Sequence, residues 1–483
     1  MSLLTKLRPV RLSVEPLEDR AVPAVFVVQT LADAGAGSLR QAVLDANATP
    51  GADVIRFTTA VRGTVTLTSG ELAITDHVRI DGPGAGRLTI SGNDTSRVFN
   101  IASGAAVVID DLAVTRGRGL LRGGGIRNDG TLTLSGAVVA DNAVVGVPGA
   151  ATPATAGLGG GVYNSGTLTV LSTTFARNQA LGAAGNPGGP GSAGLGGAIS
   201  SFSLDGGPPA SAVVSHSAFV GNRAVGGVAG NGGAVGGNGN GGAIQNDNSS
   251  MTVSHSLFHD NRAVGGDAPG FTGGFAAGGA ITNGARFGDT TLTISHSTLV
   301  NNTAVGGAGA TGGVGRGGGV ANLVAFQAPP GSGFVANATV THTALLGNAA
   351  LGGAGTTGGG TGQGGGLSNE NGGALTVADS TILLNRAAGG DGGIVGGNGL
   401  GGGIFNGPPT AFGVTTVALE RSLVVLNQAV GGESDDGTDG QGIGGGLYVA
   451  PGGLATADES TIILFNFATT GDDDVFGDLN DLP

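Results

Sequence analysis

The 483-residue sequence has no cysteine, no tryptophan, two tyrosines and a single lysine, Lys6. Without thiols there are no disulfides, no thiolate metal sites and no cysteine nucleophile, and thiol usage carries no information about redox compartment. With a formal net charge of −13 and so little basic charge, an electrostatic grip on phosphate backbones has no source, so nucleic acid is not an expected partner. No run reaches the roughly 18 apolar residues that a spanning helix needs, so no membrane-spanning segment is expected. Charged residues make up only 11% of the chain, which suits thin, uniform packing layers better than several separate globular cores.

Glycine, by contrast, is abundant. It supplies 102 residues, about three times the usual share, yet 40% of the chain is hydrophobic, which is not the profile of a disordered polymer. The glycines follow a repeat. Asn142, Asn178, Asn222, Asn261, Asn302, Asn348, Asn385, Asn427 and Asn466 recur every 36 to 46 residues, and each is preceded by a Gly-Gly-aliphatic element such as "GGGIRN", "GGGVYN", "GGAIQN" or "GGGIFN". Periods of this length signal a solenoid, here of nine units starting at about residue 123.

Inside a unit the pattern changes to a period of two. "TLTLS" (131–135), "TLTVL" (167–171) and "TLTIS" (291–295) alternate polar and apolar residues, as strands with one buried face do. Val139, Phe175, Phe219, Phe258, Leu299, Leu345, Ile382 and Val424 each lie three residues before a repeat asparagine, so each unit offers three short strands separated by turns. Asparagine and glycine suit left-handed turn positions, and stacked asparagine amides can hydrogen-bond from coil to coil. The stretches between one asparagine and the next Gly-Gly pair, such as "AVGGVAGNGGAVGGNGN" (224–240), read as Gly-rich loops leaving the stack; an added layer with polyglycine-like packing is the alternative.

Residues 25–57 differ, reading strand, helix, strand. Ser38 and Gln41 form a capping box, Leu39, Ala42, Val43 and Ala46 make one apolar stripe, and Pro50 ends the element. Such a helix suits a cap over the open β edge of the first coil. The domain reading is therefore an export segment at 1–24, a cap at 25–57, a parallel β-helix over 58–470 and an acidic tail at 471–483. About three irregular coils and nine repeats make a rod of roughly 12 coils, about 60 Å long.

The units "GGGIRNDGTLTLSGAVVADN" and "GGAITNGARFGDTTLTISHSTLVNN" resemble bacterial right-handed parallel β-helix surface proteins, and are similar to the GGAI and FxxN repeats of the chlamydial polymorphic outer-membrane protein family. "LADAGAGSLRQAVLDANATPGADVIRF" resembles the cap that precedes such helices. Residues 1–24, with Arg11, Glu15, Leu17, Glu18 and Arg20 before "AVPA", resemble the N-terminal signature of planctomycete extracellular proteins. The resemblance implies an all-β, pectin-lyase-like solenoid and a cell-surface or extracellular location. Only 17 residues follow Asn466, so neither an autotransporter barrel nor a hydrophobic anchor is expected after the helix.

The stretch "TVSHSLFHDNRAVGG" (252–266) places His255 and His259 at a spacing that would share a metal on a helix. In a strand they lie about 13 Å apart. Counting six residues back from the repeat asparagines gives Gly136, Ser172, His216, His255, His296, His342, Asp379 and Arg421, so His255 belongs to a column beside a turn. The end of that column, His342, Asp379 and Arg421, is the candidate catalytic group, since acids and bases on adjacent coils can converge. Asp435, Asp436 and Asp439 in "GESDDGTDGQG" are candidate calcium ligands, although their spacing matches neither an EF-hand nor the Gly-Gly-x-Gly-x-Asp nonapeptide, and no cofactor other than calcium is expected. The expected function is non-catalytic, adhesin-like or structural in the envelope, with an extracellular glycan or protein as partner. The alternative is a polysaccharide lyase or glycoside hydrolase on the same fold.

Overall fold

Each alternating segment forms a strand that buries its apolar members: Leu132 and Leu134, Leu168 and Val170, Leu292 and Ile294 are all buried. A short strand with one apolar face cannot stand alone, and it finds its partners in the equivalent strands one coil away. The structure, a computed structural model, describes residues 23–149, 154–202, 208–233, 235–324, 328 and 332–482; the expected export segment lies outside these except for its last two residues. Among the described residues the strands form six sheets, of 14, 12, 12, 10, 8 and 3 strands. Pairing between long strands is parallel and in step, as where Ser250–Ser254 faces Thr291–Ser295. The chain is a right-handed parallel β-helix, wound in the sense that parallel crossovers adopt.

One coil shows the plan. It runs through Gly239–Asn240, Ile244–Asp247, Ser249–Ser254, Leu257–His259 and Arg262–Val264, one strand for each of five sheets. The sequence suggests three strands per unit; the two further segments are too short and too rich in glycine to show alternation.

Columns of like residues fill the interior. Phe175, Phe219 and Phe258 stack with ring centroids 4.9 and 4.6 Å apart and nearly parallel planes, and Leu299, Leu345, Ile382 and Val424 continue the column, all fully buried. Beside it the repeat asparagines form a ladder in which each side-chain amide donates to the next Oδ1 at 2.9 to 3.0 Å, from Asn142 through to Asn466. That Oδ1 also accepts the backbone N–H of the preceding rung, as between Asn302 and Asn348. The left-handed turn position is not the asparagine itself. It is the residue just before it: Asp141, Arg177, Asp260, Asn301, Leu384, Leu426 and Phe465 have φ of 53 to 61°. The asparagine keeps a negative φ while its amide points into the ladder.

The Gly-rich stretches are not loose loops. Gly266 N–H donates to Gly237 O, Gly274 to Gly266, Gly307 to Gly274, Gly313 to Gly307 and Gly353 to Gly313, a zigzag of backbone bonds near 2.8 Å that steps alternately within and between coils up to Gly440. A Cβ at Gly353 would lie 2.0 Å from Gly307 O, and one at Gly390 2.0 Å from Gly353 O. Only glycine lets these backbones approach so closely, so the alternative of an added packed layer is the correct one.

Both ends are closed. The helix Leu39–Ala48 buries Leu39, Ala42, Val43 and Ala46, and Ser38 Oγ accepts the Gln41 N–H. Half of the capping box is made, since Gln41 Nε2 turns instead to Asp45 Oδ1. At the other end, residues expected as a solvated acidic tail finish the solenoid: Asp474 Oδ1 accepts both N–H groups of Asn466 and so terminates the ladder, and Phe476 stacks on Tyr448.

Candidate functional site

The turn between the fourteen-stranded sheet and the twelve-stranded sheet that contains Val138–Ala140 repeats in the eight coils from Gly136 to Arg421, and its outermost residue is left-handed in each. Ser172, His216, His255, His296, His342, Asp379 and Arg421 have φ of 45 to 51°, and Gly136 has 57°. From Thr173 onward the residue that follows is a serine or threonine whose hydroxyl donates to the carbonyl two positions back, as Ser217 Oγ does to Ser215 O, and can accept a backbone N–H from the neighbouring coil, as Ser256 Oγ does from Ser217. These buried hydroxyls at Thr173, Ser217, Ser256, Ser297, Thr343, Ser380 and Ser422 hold the turns in identical shape. Their signal in the sequence is the hydroxyl residue that follows each histidine in "SHSA", "SHSL", "SHST" and "THTA".

Identical turns put the four imidazoles in a stack. His216 to His255, His255 to His296 and His296 to His342 are 4.8, 4.9 and 4.8 Å apart between ring centroids, with interplanar angles of 2, 7 and 3°. All four are exposed. They line two shallow, contiguous troughs of about 470 and 430 Å³ that share His296 and run along the solenoid axis. His259 is not in the column; its Nδ1 lies 3.0 Å from Asp260 Oδ2 at the far end of its strand. The His255–His259 pair therefore splits, as the strand reading required.

The column ends in charge. His342 Nε2 is 4.0 Å from Asp379 Oδ2, and Arg421 clamps Asp379 with two hydrogen bonds of 2.7 and 2.8 Å. Those bonds hold the Asp379 carboxyl below its ordinary range and raise the Arg421 guanidinium above its own. Asp458 accepts the Arg421 N–H, which lowers it too. The fold thus brings the three candidate catalytic residues together on successive coils, but with Asp379 and Arg421 already committed to each other.

The calcium candidates are placed differently. Asp435 and Asp436 donate their backbone N–H groups to Gly392 O and Gly393 O, and Asp439 Oδ1 caps Ser434 through its N–H and hydroxyl. Among the described residues no three His, Cys, Asp or Glu side chains converge as a metal set. Sequence reading missed the buried charges on the outer face of the sheet containing Ile244–Asp247. There Asp247 lies 3.3 Å from Arg286, and burial pushes its carboxyl up to about 6. Lone charges without a repeat partner leave no periodic mark.

The fold and site define a parallel β-helix that carries an axial imidazole strip. No protein-family profile matches the chain, and curated proteins yield no sequence match. Among solved structures it is similar to the catalytic domain of a GH87 α-1,3-glucanase in complex with tetrasaccharides (13% identity, TM-score 0.36, covering 93% of this chain and 70% of that one). It is also similar to the Dettilon tailspike protein (9%, 0.41, 91% and 67%) and to a mannuronic acid specific polysaccharide family 6 lyase from human gut microbiota (11%, 0.35, 95% and 91%). Identities this low concern overall architecture and no individual residue.

Proposed function

We propose that this protein binds an extended polysaccharide laid along the imidazole strip, and that it does so at the cell surface or outside the cell. The observation that carries the reading is the exposed four-ring stack with a rung spacing of 4.8 to 4.9 Å, close to the length of one pyranose residue in an extended chain. The flanking strands add a hydroxyl row, with Thr252, Thr293 and Ser254 turned outward, that can exchange hydrogen bonds with sugar hydroxyls. Location outside the cell is supported by the repeat resemblance and by the residues of the N-terminal segment. A panel of neutral and acidic polysaccharides tests the binding claim: replacing both His255 and His296 by alanine should weaken the best ligand at least about tenfold, a loss of 1.4 kcal/mol. Equal binding by the variant overturns the assignment of the strip. Protease shaving of intact cells tests the location, which protection of the chain until lysis would refute.

A second reading is supported by the proximity of His342, Asp379 and Arg421: catalysis on a glycan held in the same trough. Hydrolysis through a carboxylate pair fits poorly, since Asp379 is held ionised by Arg421 and is not faced by a second acid across the trough among its described lining residues. A lyase is the better form, with His342 as base. Release of unsaturated uronate ends, lost in both His342→Ala and Asp379→Ala, would replace the binding reading with this one.

A further inference from the structure

The four coils that carry the histidines are otherwise free of charge on both flanks of the strip. The strands before the turn, Ala210–Ser215, Ser249–Ser254, Thr290–Ser295 and Ala336–Thr341, contain no Asp, Glu, Lys or Arg. The strands after it, Ala218–Val220, Leu257–His259, Thr298–Val300 and Ala344–Leu346, add only His259, at the far end beside Asp260. The groups that face the stack directly are neutral: Ser215 Oγ lies 2.6 Å from His216 Nδ1, and Ser172 with Thr174 and Thr298 complete the trough. Charge enters past His342, through Asp379, Arg421, Glu420 and Asp458, with Asp379 and Arg421 largely neutralising each other, and at the opposite end through Asp111, which Gly136 and Ser172 separate from His216. Imidazole is the side chain whose charge changes between about pH 5 and 8.

We propose that the strip is a proton-coupled site for a polyanionic glycan, such as a polyuronate, which it captures in mildly acid conditions and releases near neutrality. The proposal rests on the glycan reading above. Rings less than 5 Å apart resist simultaneous protonation, because each cation repels its neighbours across the stack. An anionic group seated at every rung or every second rung removes that repulsion, so binding and proton uptake must favour each other. Counted with neutral histidines, the whole chain carries a formal −13, which opposes a polyanion. Protonation therefore adds positive charge to a strip whose flanking strands hold no Asp, Glu, Lys or Arg.

The test is calorimetric titration of the full chain with polygalacturonate and with its fully methyl-esterified form, at about pH 5.5 and 7.5, in buffers of different ionisation enthalpy. Affinity for polygalacturonate should rise at least tenfold at the lower pH with about one to two protons taken up, while the esterified polymer shows neither effect. His255→Gln and His296→Gln should lose the pH response and the proton uptake. A pH response that survives in both variants, or polygalacturonate binding that is flat with pH, overturns the proposal, as does failure of polygalacturonate to bind at pH 5.5. If neutral polysaccharides still bind and His255→Gln weakens them, the glycan reading stands and only the polyanion coupling falls.

Discussion

At the residue scale, this protein is built from positions that are each satisfied only by their copies above and below. Asn302 is representative. Its Oδ1 accepts from both the N–H and the side-chain amide of Asn261, and its own amide donates to Asn348 Oδ1 and to Phe258 O. Asn302→Ala leaves the buried Asn261 N–H without its partner and breaks the ladder bonds to Asn261 and Asn348, and unfolding in denaturant should register a loss of about 3 kcal/mol. Asp247 gives a pH signature. Burial raises its folded pKa from 3.8 to about 6, so between those values the folded chain holds a proton that the unfolded chain releases, and the residue's contribution to stability falls as pH rises through that window. Stability of Asp247→Asn relative to the parent, measured by denaturant titration, should therefore be greater above pH 6 than below about pH 4. An unchanged difference would deny that the acid is desolvated.

At the element scale, the glycine layer and the turn column are the two devices that the repeats maintain. Gly353→Ala drives a methyl group against the Gly307 carbonyl and should lower the melting temperature or split the transition, whereas Gly86→Ala, with no atom within 4 Å of its Cβ, should be neutral. The strands and the two obvious columns were legible in the sequence because alternation and a fixed distance from each asparagine survive insertions elsewhere in the unit. The glycine layer was not legible, since a run such as "GGVAGNGGAVGG" has no side chains from which a period can be read, and the same composition serves a flexible linker. A second ladder was equally available and overlooked: Asn283 donates to Asn322, Asn322 to Asn369 and Asn369 to Asn406, from the last position of the "GGAITN"-type elements.

At the scale of the whole molecule, strand pairing among the described residues joins each coil only to its neighbours, so the ends of the solenoid govern its behaviour. The helix Leu39–Ala48 shields the first coil, and Leu39 is completely buried. Leu39→Asp should lift this cap and expose the edge of the twelve-stranded sheet that begins at Leu72–Ile74, which Asn47 of the helix now covers by bonding Ala73 O and the Thr75 N–H, and light scattering should show concentration-dependent association where the parent stays monodisperse. The candidate site belongs to this scale too. His216, His255, His296, His342, Asp379 and Arg421 stand 37 to 46 residues apart in sequence, and become neighbours only because every coil has the same circumference once its Gly-rich excursion is folded away.

The sequence by itself determined the class of fold, the capping helix, the core columns and the membership of the histidine column, because each depends on a local pattern repeated at a readable interval. Only the tertiary structure decided that the glycines pack as a layer, that Asp379 and Arg421 are paired, and that four imidazoles stand ring on ring. Those facts depend on distances between coils, which are set by backbone hydrogen bonds and close packing that leave no periodic trace along the chain.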